Sequence, residues 1–436
     1  MAVLRVCLTL LLTLLLGSAG ARAAGPQIDA PPGLFHRPVL VVDPSMHTAA
    51  IWRASADKDG RWAVTGSDDK TIRIWSLADG ALVRTIRLPA GPGNVGKAFA
   101  VAISPDGAVV AAGGWTGPTG GPKAVYLFDR ATGALVRRIE GLPNVVFHLA
   151  FSPDGARLAA VLGGGTGLRV YAKQTGWAEE ARDGDYGDHS LGADFAPDGR
   201  LATTSYDGKI RVYIGDLRGT IRPGRVVQAP GGDHPFGLAF SPDGAQLAVG
   251  YDDSTRVDRL DARELAPLPR PDLDGLDNSG DLSKVAWSRD GMTLFAAGRY
   301  ERVDSTPVLA WAGGGAGARR ALAAGLSTVM SLVPLPGGDL LVASQDPWLG
   351  RLAPDGTPRW RHGAPEADLR YETEHLSVSA DGAHIGFHFD LSDKSPAHFD
   401  LTSRVRPSAE TVPKTEHGKS PTSFGFALDP SGNGSK

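Results

Sequence analysis

The chain has 436 residues, 42% of them hydrophobic and only 21% charged, with 57 Gly and 32 Pro. This is a turn-rich composition without the polarity of a disordered chain or the fixed glycine period of collagen, and it points to an all-β fold. Basic residues number 45 against 48 acidic ones, which leaves no field to hold a phosphate backbone, so nucleic acid is not an expected partner.

Residues Met1 to Ala23 read as a secretory signal. Arg5 supplies the positive start, Leu8 to Leu16 is nearly continuous leucine, and Ala21-Arg22-Ala23 places small residues where a signal peptidase needs them. Cleavage is expected after Ala23, giving an exported chain in the periplasm or outside the cell. No later segment approaches the roughly 20 apolar residues of a membrane helix, so no membrane insertion is expected after cleavage. Cys7, the single cysteine, leaves with the signal, and the mature chain then has no disulfide and no thiolate ligand.

After an extension over 24–37 and a strand at Pro38 to Val42, one motif recurs down the chain. It is seen at Ser104-Pro105-Asp106-Gly107, Ser152-Pro153-Asp154-Gly155, Ala196-Pro197-Asp198-Gly199, Ser241-Pro242-Asp243-Gly244 and Ser288-Arg289-Asp290-Gly291. Looser copies end at Gly60, Gly338 and Gly382, and the closing glycines stand 47, 48, 44, 45, 47, 47 and 44 residues apart, the period of a propeller blade. Pro fixes the first corner, Asp bonds its own backbone and Gly accepts positive φ, so each copy is a tight turn. Apolar alternation before it (Phe99, Val101, Ile103), a small-residue strand after it (Leu201 to Thr204) and a third strand (Thr71 to Trp75) precede a Gly-bearing turn and a fourth strand (Ala81 to Ile86). Four strands per period make a blade, and the eight motifs predict eight blades, with seven as the alternative count.

Met46-His47, Thr65-Gly66-Ser67-Asp68-Asp69 and Ile72-Arg73-Ile74-Trp75 together resemble a WD40 repeat, in a degenerate form of bacterial type because Trp-Asp itself never occurs. The resemblance covers about residues 38–405 and implies a WD40-like β-propeller over 38–403. In that family a His, a Ser or Thr, an Asp and a Trp bond in series within a blade, and His47, Thr65, Asp69 and Trp75 fall at the matching positions. The fourth repeat keeps Thr203, Asp207 and Tyr213 and the fifth keeps Asp253, while His189 and His234 sit one position off. Such propellers usually close by lending an N-terminal strand to the last blade, and Pro38 to Val42 is expected to pair there with the eighth repeat. Residues 404–420 read as a linker, and 421–436 as the start of a further, incomplete repeat or as a frayed tail.

No nucleophile presents itself: no Gly-x-Ser-x-Gly elbow occurs and the one cysteine is removed. His384 and His388 lie in a strand, where four residues span roughly 13 Å, too far for one ion. Asp272, Asp274, Asp277 and Asp281, and likewise Asp183, Asp185 and Asp188, lack the spacing of a calcium loop. Gly163 to Gly165 and Gly313 to Gly315 lack the Lys-Ser/Thr of a phosphate loop. No catalytic, metal or cofactor residue is assigned. Trp115, in the loop up to Lys123, and Arg299, Tyr300 and Arg302, in the sixth repeat, are the candidate partner-binding surface. The resemblance implies a non-catalytic platform for a protein or peptide. The alternatives are the propeller module of a longer exported protein carrying a caspase-like peptidase or second propeller, and a propeller enzyme, either a lactonase-like hydrolase or a quinone-dependent dehydrogenase.

Overall fold

The computed structural model describes residues 43–363 apart from 216, 278, 279, 303–305 and 326, together with Leu34, Ala380 and the strands at 376–378, 384–387 and 397–400. The signal, the Pro38 to Val42 strand with its expected pairing, the 404–420 linker and the 421–436 segment all lie outside the described residues.

Blade one shows how the repeat folds. Its strands Ile51–Ala56, Trp62–Ser67, Thr71–Ser76 and Leu82–Arg87 pair antiparallel in chain order, the first innermost. The motif forms the turn between the first and second strands of a blade. At Ser104 the hydroxyl donates to Asp106 at 2.5 Å and accepts the Val109 N–H at 2.9 Å, while Gly107, at φ +72°, closes the turn on the Ser104 carbonyl. The same bonds recur at Ser152, Ser241 and Ser288. In blade one the buried Asp57 carboxylate replaces the hydroxyl and accepts from the N–H groups of Arg61 and Trp62. Each corner thus satisfies its own backbone, which lets it be buried against the next blade.

Seven such sheets stand in a ring. Five have four strands, and blade three has five because Gly219–Thr220 adds a short parallel strand to its outer edge. Blade five stops at Pro235–Phe240, Gln246–Tyr251 and Val257–Asp261. Where its fourth strand would run, Pro267, Pro269 and Pro271 alternate, and only the Asp261–Ala266 and Leu268–Arg259 backbone bonds join the segment to the sheet. Proline has no N–H for a ladder, so the same feature stops the sheet and blocks that edge to another chain.

The core lies between blades. Val64, Ile72 and Ile74 of blade one pack on Val101, Ile103 and Val110 of blade two in one buried cluster. Blade seven (inner strand Val329–Pro334) meets blade one in the same way, with Leu335, Leu341 and Leu349 against Ile51, Trp75 and Leu77. Ser331 Oγ accepts the Ala54 N–H at 3.1 Å, and the Arg351 guanidinium and Trp360 indole donate to the Leu77 carbonyl at 2.7 and 3.0 Å. The ring therefore closes at seven, the lower of the two counts, because these two apolar faces are complementary and fully occupied by each other. Later in the chain Leu376–Val378, His384–Phe387 and Ala397–Asp400 form a three-stranded antiparallel sheet, and the eighth motif falls between the first two in sequence, outside the described residues but for Ala380. Among the described residues no helix is long and apolar enough to cross a membrane.

Candidate functional site

Six of the seven inner strands slip register by one residue at the same height. The extra residue is Trp52, Phe99, Phe147, Leu191, Phe236 or Met330, the last five in strands Ala98–Ile103, Val146–Phe151, Ser190–Phe195, Pro235–Phe240 and Val329–Pro334. A bulge breaks the two-residue alternation. Phe99 therefore does not join Val101 and Ile103 in the core, as plain alternation expects. Those two are buried, whereas Phe99 is half-buried and lines a cavity.

That cavity, of about 250 Å³, opens where the inner strands converge. Aromatic rings follow its wall in sequence: Trp52 to Phe99 at 4.7 Å, Phe99 to Phe147 at 6.2 Å, Phe147 to His189 at 5.3 Å, His189 to Tyr206 at 6.3 Å and Tyr206 to Phe236 at 6.3 Å. This crescent runs through blades one to five. Lys284 and Met330, on the inner strands of blades six and seven, complete the wall. The Lys284 ammonium lies 3.5 Å from the centre of the Phe236 ring and donates to Ser283 Oγ at 3.1 Å.

Charge is concentrated behind the rings. Arg53 reaches the carbonyls of Phe147 and Leu191 only at 3.5 and 3.4 Å, and its buried Nε has no hydrogen-bond partner. His148 accepts the Ala193 N–H at 3.0 Å. Burial, then the nearby Arg53 and Lys284, holds the His148 imidazole well below its usual range. Burial, reinforced by Arg53, lowers the Lys284 ammonium to about 7, and burial lowers Arg53 to about 10. Burial raises the Asp194 carboxyl to about 7 although the Phe240 N–H bonds it at 2.8 Å. Arg53, His148 and Asp194 are surrounded by protein yet keep part of their side chains open. On the rim, the Tyr206 hydroxyl donates to Asp252, and Asp281 holds Arg299 at 2.6 Å.

Within blade one a separate polar chain ties the strands together. Trp75 Nε1 donates to Thr65 Oγ1 at 2.8 Å, Thr65 Oγ1 meets His47 Nε2 at 2.7 Å, and His47 Nδ1 meets Asp69 Oδ2 at 2.8 Å. All four side chains are buried or nearly so. The series joins the approach to the first strand with the second and third, and it satisfies every polar group that it buries.

The WD domain, G-beta repeat family matches residues 40–76 and 187–213. Two blades of this β-propeller thus carry WD40 repeats. The WD repeat-containing protein SL1-17 of Schistosoma mansoni is 28% identical over 182 residues, 42% of this chain and 54% of that protein. Eukaryotic translation initiation factor 3 subunit I of Aspergillus terreus is 30% identical over 125 residues, 29% of this chain and 33% of that protein. A ribosome biogenesis protein BOP1 homolog of Monosiga brevicollis is 46% identical over 44 residues, 10% of this chain and 6% of that protein. The chain thus spans about half or less of the length of these relatives. The shared fold is a WD40 propeller scaffold suited to protein interaction.

The second WD40 match falls on blade four, where the polar series is rebuilt. Tyr186 takes the histidine's part, its hydroxyl meeting Thr203 Oγ1 at 2.7 Å and the Tyr213 hydroxyl at 2.8 Å, and Tyr213 donates onward to Asp183 at 2.7 Å. Asp207 turns instead to Arg211. His189, one position off in sequence, accepts the Gly164 N–H and joins the aromatic crescent. In blade five the Tyr251 hydroxyl bonds Asp258, and Asp253 accepts the N–H groups of Asp233 and His234.

The surface residues singled out in the sequence separate. Trp115 is half-buried beside Lys123, whose ammonium clamps the loop through the carbonyls of Pro118 and Gly121. Arg299 and Arg302 are exposed, but Tyr300 is only 3% exposed and packs in the blade-six core, so it offers a partner nothing to touch. Asp272 and Asp274 use their carbonyls to accept from Arg319, and Asp272 also accepts from Trp311. Gly313 and Gly314 form a left-handed hairpin turn. Among the described residues no three His, Cys, Asp or Glu side chains are grouped to hold a metal ion.

Sequence reasoning missed the crescent although a signal existed. The residue eight before each closing glycine is Trp52, Phe99, Phe147, Leu191, Phe236, Ser283 and Met330 in turn. A column of large apolar residues beside small-residue strands marks a wall, once the bulge is allowed for.

Proposed function

We propose that this WD40 propeller is an exported, non-catalytic platform that binds a protein or peptide partner at the mouth of its central cavity. The observation that carries the reading is the crescent: aromatic rings from five blades stay half-open around one cavity instead of packing between blades. Large aromatic surface on a rigid rim is the usual material of a binding hot spot. Arg299 extends this rim through Asp281 and the Asp252 carbonyl. Export to a bacterial-type periplasm rests on the pattern of Arg5, the leucine run and Ala21-Arg22-Ala23.

Crosslinking in source cells tests both parts. A photoreactive residue at position 99 should capture a discrete partner, and Phe147→Ala with Tyr206→Ala should weaken capture about thirtyfold, the effect of losing a hot-spot aromatic. Capture unaffected by that pair would reject the mouth as the binding site. N-terminal sequencing of the native protein should begin at Ala24, and a start at Met1 would reject export by this signal.

A further inference from the structure

We infer that the cavity takes a carboxylate carried on a single aromatic or aliphatic residue of the partner, the apolar body lying against the crescent and the anion between Arg53 and Lys284. This rests on the mouth being the platform's binding site, and it names the chemistry recognised there.

Size is the first argument. A cavity of 150 Å³ accommodates benzene, so the roughly 250 Å³ here holds one ring or branched side chain with its carboxylate, and not a cofactor or a folded loop.

The second argument is uncompensated charge. Arg53 has two long contacts to carbonyls and a buried, unpartnered Nε, and Lys284 has a serine hydroxyl and an aromatic face. The carboxylates whose fields reach Lys284 are committed elsewhere, Asp281 to Arg299 at 2.6 Å and Asp252 to the Tyr206 hydroxyl and to His234 at 3.6 Å.

The third argument comes from the repeat itself. Arg53, His148 and Lys284 stand seven residues before the closing glycines of blades one, three and six, where the other blades carry Ala100, Gly192, Gly237 and Ser331. The fold needs only a small residue there. Burying a guanidinium and an ammonium together at the centre opposes folding, and a bound anion is what would offset it. A carboxylate suits the site better than phosphate, since its two oxygens match the guanidinium fork and the aromatic wall supplies few other donors.

The test uses N-acetylphenylalanine, its uncharged amide and inorganic phosphate, titrated into the whole protein and followed by calorimetry and ligand-observed NMR. The acid should bind about tenfold or more tightly than the amide, as expected for a charge-assisted pair. Lys284→Met and Arg53→Met should each erase that preference, read as the ratio of acid to amide affinity within the same variant. If Arg53→Met does not fold, Lys284→Met carries the comparison alone. Equal binding of acid and amide, no binding of the acid up to about 20 mM, or phosphate competing as strongly as the acid would overturn the inference. Position-99 capture that depends on the mouth, together with equal binding of acid and amide, would leave the platform standing and remove only the carboxylate.

Discussion

Replacing Thr65 with valine removes the single hydroxyl on which two buried groups of blade one depend. The Trp75 indole can only donate, so Thr65 Oγ1 accepts it. Burial alone would raise the Asp69 carboxyl, but hydrogen bonds from His47 and Thr71 outweigh it and hold it at about 2, so Asp69 is an anion that only accepts. His47, its imidazole lowered by burial, is neutral, carries its proton on Nδ1 toward Asp69 and turns a bare Nε2 to the Thr65 hydroxyl. Valine nearly preserves the volume and leaves both the indole N–H and Nε2 unpaired. At about 1–3 kcal/mol for each buried orphan, and with some relaxation, the loss is about 3 kcal/mol. Thr65→Ser keeps the hydroxyl and loses one methyl, about 1 kcal/mol. Denaturant unfolding followed by tryptophan fluorescence should rank wild type, serine and valine in that order. A valine variant at least as stable as the serine one would show that the series is packing, and that the hydrogen bonds contribute nothing net.

Three further outcomes follow from the same physics. The Asp69 carboxyl is depressed in the folded state from 3.8 to about 2, so its stabilisation is present above pH 4 and lost as pH falls through about 2; by denaturant unfolding, wild type should lose about 2 kcal/mol more than Asp69→Asn between pH 5 and 2, the other depressed carboxylates acting on both alike. The Lys284 ammonium is lowered from 10.5 to about 7, so the folded state loses stability as pH falls from 10.5 to 7; Lys284→Met should gain about 3 kcal/mol over wild type at pH 6, less than the full shift implies because the ammonium opens on the cavity, and much less at pH 10. Equal gains at both pH values would place the lysine in water. Tyr186→Phe leaves Thr203 and Tyr213 short of a partner and should cost about 1–2 kcal/mol by thermal melting; an unchanged transition would show that Asp183 alone satisfies Tyr213.

The ring was legible because the turn chemistry is local. Ser, Asp and Gly at fixed offsets form each corner by themselves, and their period announces the blade. The blade count was less legible, since it depends on whether the face of Leu341 and Leu349 fits that of Ile51 and Trp75, a match between residues nearly 300 apart that no local motif encodes. Tyr186 was missed because it is not a histidine, although a hydroxyl that gives and takes one hydrogen bond serves the same buried place. Phe99 was read as core alternation because a bulge leaves no mark in composition; it shows only as a one-residue slip against the neighbouring strand.

Seven blades amount to seven trials of each position, and comparing them separates what the fold requires from what it merely tolerates. Six residues before the closing glycine stand Ala54, Val101, Leu149, Ala193, Leu238, Val285 and Leu332, all apolar and all buried or packed against the core. That uniformity is explained by blade-to-blade packing. Two residues earlier the column is apolar in every blade but the sixth, and four of its members are aromatic rings left half-open to a cavity, where packing supplies no reason for size. Ser283 stands in this column just before the inner strand of blade six, Lys284–Trp287, the one inner strand without the bulge. Large rings kept in partial contact with water have their reason in something that comes to cover them.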